Sequence, residues 1–138
     1  MTGVLVLVGA LALATALGFA LRSRQGRLTR RVRPTELPAQ VRILVDRTAS
    51  VTLVQLSTTF CAPCRHTRTL LAELASRTDG LSHRELDLTA LPEVAAALHV
   101  LRTPTTLALT TDGVELLRVG GVPRQGILLD ALRSHLPG

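Results

Sequence analysis

The apolar positions of this chain fall into two regimes. From Gly3 to Leu21 (GVLVLVGALALATALGFAL) they run almost unbroken, with Thr15 the only distinctly polar side chain. As a helix this run spans about 28 Å, close to the hydrocarbon thickness of a bilayer. Beyond residue 40 the apolar positions come in short blocks of changing period. Val41 to Val45 predicts a short strand. Val51 to Ser57 (VTLVQLS) is β-branched and mostly apolar, as a strand buried on both faces would be. Ala62 to Arg77 follows helical spacing, with Cys64, Thr67, Leu71, Leu74 and Ala75 on one stripe and Asp79-Gly80 as its stop. Ser82 to Leu88 predicts a strand, and Leu91 to His99 a short helix that tolerates Pro92 in its first turn. Thr105 to Thr110 and Glu115 to Val119 predict two strands joined by an Asp112-Gly113 hairpin turn, and Pro123 to Leu136 an amphipathic helix. From Val51 onward the order βαβαββα implies an α/β fold: a central mixed sheet flanked by helices on both faces.

The N-terminal run reads as one transmembrane helix, an anchor over residues 1–21. A cleaved signal peptide is the alternative, since Gly18-Phe19-Ala20 has the small-x-small form of a cleavage site. Against cleavage, no basic residue precedes the run and arginines follow it at once, the reverse of the signal-peptide order. A buried soluble helix is disfavoured by the length and uniformity of the stretch. Residues 22–40 read as an Arg-rich juxtamembrane linker stiffened by Pro34 and Pro38, with the folded domain over 41–138.

Charge sharpens this division. The 138 residues carry a formal net charge of +6, and every side-chain cation other than histidine is Arg. Arg22, Arg24, Arg27, Arg30, Arg31 and Arg33 sit in one stretch without a carboxylate, whereas arginines and carboxylates balance from Glu36 onward. The excess therefore lies just after the apolar run, where it suits an anionic lipid surface and places the domain in the cytoplasm by the positive-inside rule. An extracytoplasmic domain is the alternative. Nucleic-acid binding is disfavoured: the domain has no basic excess, and Phe19 and Phe60 are the only aromatics. The core must be built from Leu, Val, Ala and Ile.

The chemistry concentrates at Phe60-Cys61-Ala62-Pro63-Cys64, where the buried strand hands over to a helix. Unpaired N–H groups and the dipole at a helix N-terminus stabilise a thiolate, so Cys61 is the candidate nucleophile. Cys64 lies nearly one turn on and points to the same side, within reach of a small disulfide ring. Pro63 fits a first helical turn and restricts the chain between the sulfurs. Alone, such a pair could also be half of a zinc site. Zinc needs two more ligands, and of His66, His83, His99 and His135 the nearest, His66, falls on the opposite helix face. No metal and no prosthetic group are expected.

Thr103-Pro104 precedes the apolar strand TLALT, forty positions after Cys64. With these residues the chain resembles the thioredoxin family over Val41 to Leu136, in the order strand, CAPC, helix, strand, Thr-Pro, paired strands, Gly120-Gly121, helix. The resemblance implies a thioredoxin-like fold and a thiol–disulfide oxidoreductase acting on disulfide-containing or dithiol proteins. It makes Cys61 the attacking and Cys64 the resolving cysteine. Pro104 would be a cis-proline packed against the pair; an ordinary trans proline at a strand start is the alternative. Thr103 would offer its backbone to an extended substrate, and Gly120 and Gly121 would let backbone approach the site, or simply form a turn. Two positions depart from the family. Phe60 stands where Trp usually precedes the first cysteine, and Gln55 replaces a buried Asp, so it can hydrogen-bond but cannot take a proton. Arg65 could stabilise the thiolate, or be a solvated helix residue. Rival functions are a non-catalytic binding module, a metal chaperone, and an extracytoplasmic thiol reductant for cytochrome or envelope-protein maturation.

Overall fold

A computed structural model describes residues 1–23, 26–30 and 36–138. Of the residues read as linker, Arg24, Arg31, Arg33 and Pro34 lie outside the described ones. Helix α1 (Thr2–Ser23) takes up the whole apolar run, and none of its 22 residues is buried. It is long and apolar enough to cross a membrane, a property that signal sequences share.

Five strands, β1 (Arg27–Arg30), β2 (Val51–Ser57), β3 (Leu81–Asp87), β4 (Thr105–Thr110) and β5 (Glu115–Gly120), form one mixed sheet in the order β1-β5-β4-β2-β3. The central β2 is buried at every position. It pairs in parallel with β3 and antiparallel with β4, which pairs antiparallel with β5. Strand alternation divides the core between two faces. Val51, Leu53, Ala108, Leu117 and Val119 pack with Leu71 and Leu74 of α3 (Ala62–Ser76) and Leu128 and Leu132 of α5 (Gln125–Leu132). On the other face Val54, Leu56, Leu107 and Leu109 pack with Val41 of α2 (Ala39–Arg42) and Val94 and Leu98 near α4 (Pro92–Ala97). The expected hairpin forms: Thr110 and Val114 bond across it, and Gly113 takes φ +79°, which a residue without Cβ adopts freely.

Three segments differ from the sequence reading. Val41–Val45 is not a strand. Leu37, Val41, Leu44 and Val45 pack against one cluster, a spacing of helical period, while Ile43 is 80% exposed. Pro38 opens α2, its carbonyl accepting from the amides of Val41 and Arg42. Within the segment read as linker, Arg27–Arg30 forms strand β1, antiparallel to β5, with Leu28 opposite Val119 and packed on the core. The C-terminal helix is shorter than expected, running from Gln125 to Leu132 before one 3₁₀ turn over Arg133–His135.

Candidate active site

The site is built where β2 ends and α3 begins. Cys61 is the N-cap of α3, with extended backbone (φ −100°, ψ 99°), and its Sγ accepts the Cys64 amide hydrogen at 3.2 Å. That bond satisfies one of the orphan donors of the first turn, the interaction that would stabilise a thiolate in the reduced protein. Ala62 and Pro63 occupy the first turn, where the missing proline N–H costs nothing. Cys61 and Cys64 form a disulfide with Cα atoms 5.2 Å apart. Cys61 is half-buried, whereas Cys64, on the inner stripe of α3, is only 1% exposed. An incoming group therefore meets Cys61.

The loop entering β4 reaches the segment between β2 and Cys61. The Thr103–Pro104 peptide is cis, Pro104 is buried and Thr103 is half-buried. The Thr58 and Thr103 hydroxyls lie 3.3 Å apart and tie this loop to the end of β2. Gly121, at φ +84°, donates its amide hydrogen to the Pro104 carbonyl at 2.7 Å, which fixes the same loop from the other side. Gly120 is the last residue of β5. Phe60 and Leu101 are 97% and 96% exposed, on the segments that lead into Cys61 and into Thr103. Exposure of two large apolar side chains next to a reactive centre suits contact with a protein partner.

Behind the pair is a polar cluster that pattern reading did not assemble. Gln55 is fully buried on β2 and donates from Nε2 to the Cys64 carbonyl at 2.8 Å. Its Oε1 faces His83 Nε2 at 3.2 Å. Glu85, paired with Gln55 in the β2–β3 register, accepts from Ser57 Oγ at 2.6 Å and from Arg68 Nε and Nη2 at 2.5 and 2.9 Å. The Arg68 hydrogen bonds, assisted by Ser57, hold the Glu85 carboxyl below its ordinary pKa. Burial pushes the His83 imidazole below its ordinary value, outweighing the attraction of Glu85. The polar positions 83 and 85 on β3 were visible in the sequence; only the strand register brings them to Gln55. The other three histidines are exposed, and among the described residues no three of His, Cys, Asp or Glu converge as metal ligands.

These two shifts predict a staged acid response. An imidazole depressed in the fold resists protonation there, so stability is expected to decline as pH falls below about 6.5, where the unfolded chain takes up that proton. A depressed carboxyl contributes stability that is lost as pH falls below about 4.3 and on through the lower folded value. Asp46 and Asp87 share this second stage, held low by hydrogen bonds from Thr48 and Thr89 respectively. Urea unfolding across that range should lose the first stage in His83→Gln and weaken the second in Glu85→Gln.

The thioredoxin family model matches residues 38–134, which cover the two-cysteine turn, the cis-proline loop and the whole of β2 to α5. The chain belongs to the thioredoxin family. It is 33% identical over 89 residues to thioredoxin of Staphylococcus saprophyticus, covering 64% of this chain and 85% of that protein. It is 34% identical over 86 residues to thioredoxin of Mycobacterium tuberculosis, covering 62% and 73%. The fold is shared with a thioredoxin variant of Halobacterium salinarum at a TM-score of 0.61, with 22% identity and coverage of 74% of this chain and 89% of that one. A thioredoxin of Nicotiana alata superposes at a TM-score of 0.54, with 23% identity over 63% and 74% of the two chains. As a thioredoxin with the Cys61–Cys64 pair, the protein is a thiol–disulfide oxidoreductase acting on protein dithiols and disulfides.

Proposed function

We propose that this thioredoxin is tethered to a membrane and exchanges disulfides with protein substrates through Cys61 as nucleophile and Cys64 as resolving thiol. The observation that carries the assignment of roles is the difference in access: Cys61 caps α3 at the surface and Cys64 is buried beneath it. The Cys61 thiolate attacks one sulfur of the substrate disulfide and expels the other as a thiolate, which takes a proton from solvent. Cys64, deprotonated, then attacks Cys61 Sγ and releases the second substrate sulfur. The substrate gains two electrons and the pair is left oxidised; an external dithiol returns it to the reduced form. Thr103, Pro104 and Gly120 bound the surface on which an extended substrate lies. Phe60 adds apolar contact, Pro63 stiffens the turn, and Gln55 holds the Cys64 carbonyl in place. Purified full chain in detergent should catalyse dithiothreitol-dependent reduction of a protein disulfide; no rate above dithiothreitol alone would refute the assignment.

The proposed organisation is an anchor over 1–21 and a thioredoxin domain over 41–138, whose sheet β1 extends. Support for a retained anchor comes from the unburied apolar surface of α1, from Arg22 in its last turn and from Arg27 and Arg30 beyond its end. That charge favours contact with anionic headgroups and a cytoplasmic domain. In intact cells, a membrane-impermeant maleimide should then label Cys61 only after lysis. Labelling without lysis would put the domain outside, and recovery of the chain without α1 would identify a cleaved signal.

A further inference from the structure

We infer that a basic groove beside the cis-proline loop selects protein disulfides flanked by acidic side chains, with Arg27 and Arg102 as its specificity-determining residues. This rests on the oxidoreductase reading and names its substrate class. The groove holds about 340 Å³ and is lined by Arg27, Thr29, His99, Arg102, Arg118 and Gly120, among others. Among the described residues no carboxylate lines it.

Its floor follows from strand register. Gly120 stands between Thr105 of β4 and Arg27 of β1, and Arg118 stands opposite Thr29. Residues directly opposite in a sheet project to the same face, so Arg27, Thr29 and Arg118 rise on one side around the notch that Gly120 leaves. Arg102 enters this notch from the loop: a Cβ on Gly120 would lie 3.6 Å from Arg102 Cδ and 3.8 Å from Nε. Arg102 and Thr105, which line the groove, flank the Thr103–Pro104 peptide in the chain.

The three guanidinium groups are not equivalent. Arg118 is engaged by both Glu115 oxygens, at 2.8 and 2.9 Å, and by the Leu98 carbonyl. Arg27 and Arg102 are exposed and, among the described residues, make no ion pair. A substrate running past Thr103 with a carboxylate near its reactive cysteine would bring that charge to them. The guanidinium fork matches a carboxylate, and complementary charge on an exposed rim acts mainly on the rate of encounter.

The test uses full chain in neutral detergent and three disulfide peptides that differ only in Glu, Gln or Lys beside one cysteine. The Glu peptide should exceed the Lys peptide by about tenfold in kcat/KM at low salt, and by much less at high salt. The Arg27→Gln/Arg102→Gln double variant should bring that ratio to within about twofold, and Arg102→Glu should move the preference toward Lys. If the parent chain reduces all three equally, selectivity is refuted while the oxidoreductase reading stands; if it reduces none, that reading fails first. A ratio untouched by the double variant, with retention on anionic over zwitterionic vesicles lost instead, would make the groove a lipid contact and overturn the inference.

Discussion

A Cys61→Ser chain is expected to lose disulfide-exchange turnover by on the order of a thousandfold or more, while Cys64→Ser accumulates a covalent complex with its substrate. The two variants separate because the two sulfurs differ in access and in the amide that stabilises Cys61. Cys61 caps α3, half-buried, with the Cys64 amide already donating to its sulfur. Removing it takes away the cysteine sulfur that a bulky partner can reach. Cys64 is 1% exposed, and its proposed role is to attack a bond already formed at Cys61. With serine there, the first attack proceeds and the mixed disulfide persists until an external thiol cleaves it. Non-reducing electrophoresis of membranes, followed by mass spectrometry of the trapped band, reads both outcomes. Trapping by Cys61→Ser but not by Cys64→Ser would reverse the assignment.

Restoring the family's usual carboxylate at position 55 is expected to harm this protein. Gln55→Asp should cost on the order of 3 kcal/mol at neutral pH, the range for an uncompensated buried charge. In the native protein the Gln55 amide donates to the Cys64 carbonyl at 2.8 Å and stands 3.5 Å from Glu85 Oε1. Aspartate would lose that donor and set a second carboxylate beside one already ionised by Arg68. Glu85→Gln should therefore recover part of the loss in the double variant. The penalty should also shrink in acid, once pH falls through the depressed folded value of His83, whose proton would offset the new charge. Urea unfolding of the single and double variants checks this. A stable Gln55→Asp chain, unaffected by Glu85→Gln, would mean that the cluster tolerates both charges.

Local pattern was enough for much of the fold. The mostly apolar seven-residue stretch of β2, the Asp112-Gly113 hairpin and the long helix that starts after Cys61 all depend on near neighbours, and all are present. What pattern could not supply was pairing at a distance. Arg27–Arg30 reads as a charged connection because three of its four residues are polar; only the free edge of β5 makes it a strand. Ile43 to Val45 looks β-forming in isolation, yet the residues that bury are spaced for a helix. The same holds at the site. The cysteine pair and Thr103-Pro104 are legible as short motifs, whereas the link from Gln55 to His83 and Glu85 exists only because β2 and β3 run side by side in one register.

Strand β1 also sets how far the catalytic domain could stray from a bilayer. Helix α1 closes at Ser23 and β1 opens at Arg27, so their ends are at most about 14 Å apart even with the chain pulled straight. With α1 inserted in lipid, one margin of the sheet would hover at headgroup level on a leash shorter than the domain is wide. Such an enzyme patrols a surface: its clients would have to present their disulfides at the membrane, because it has no slack with which to fetch them.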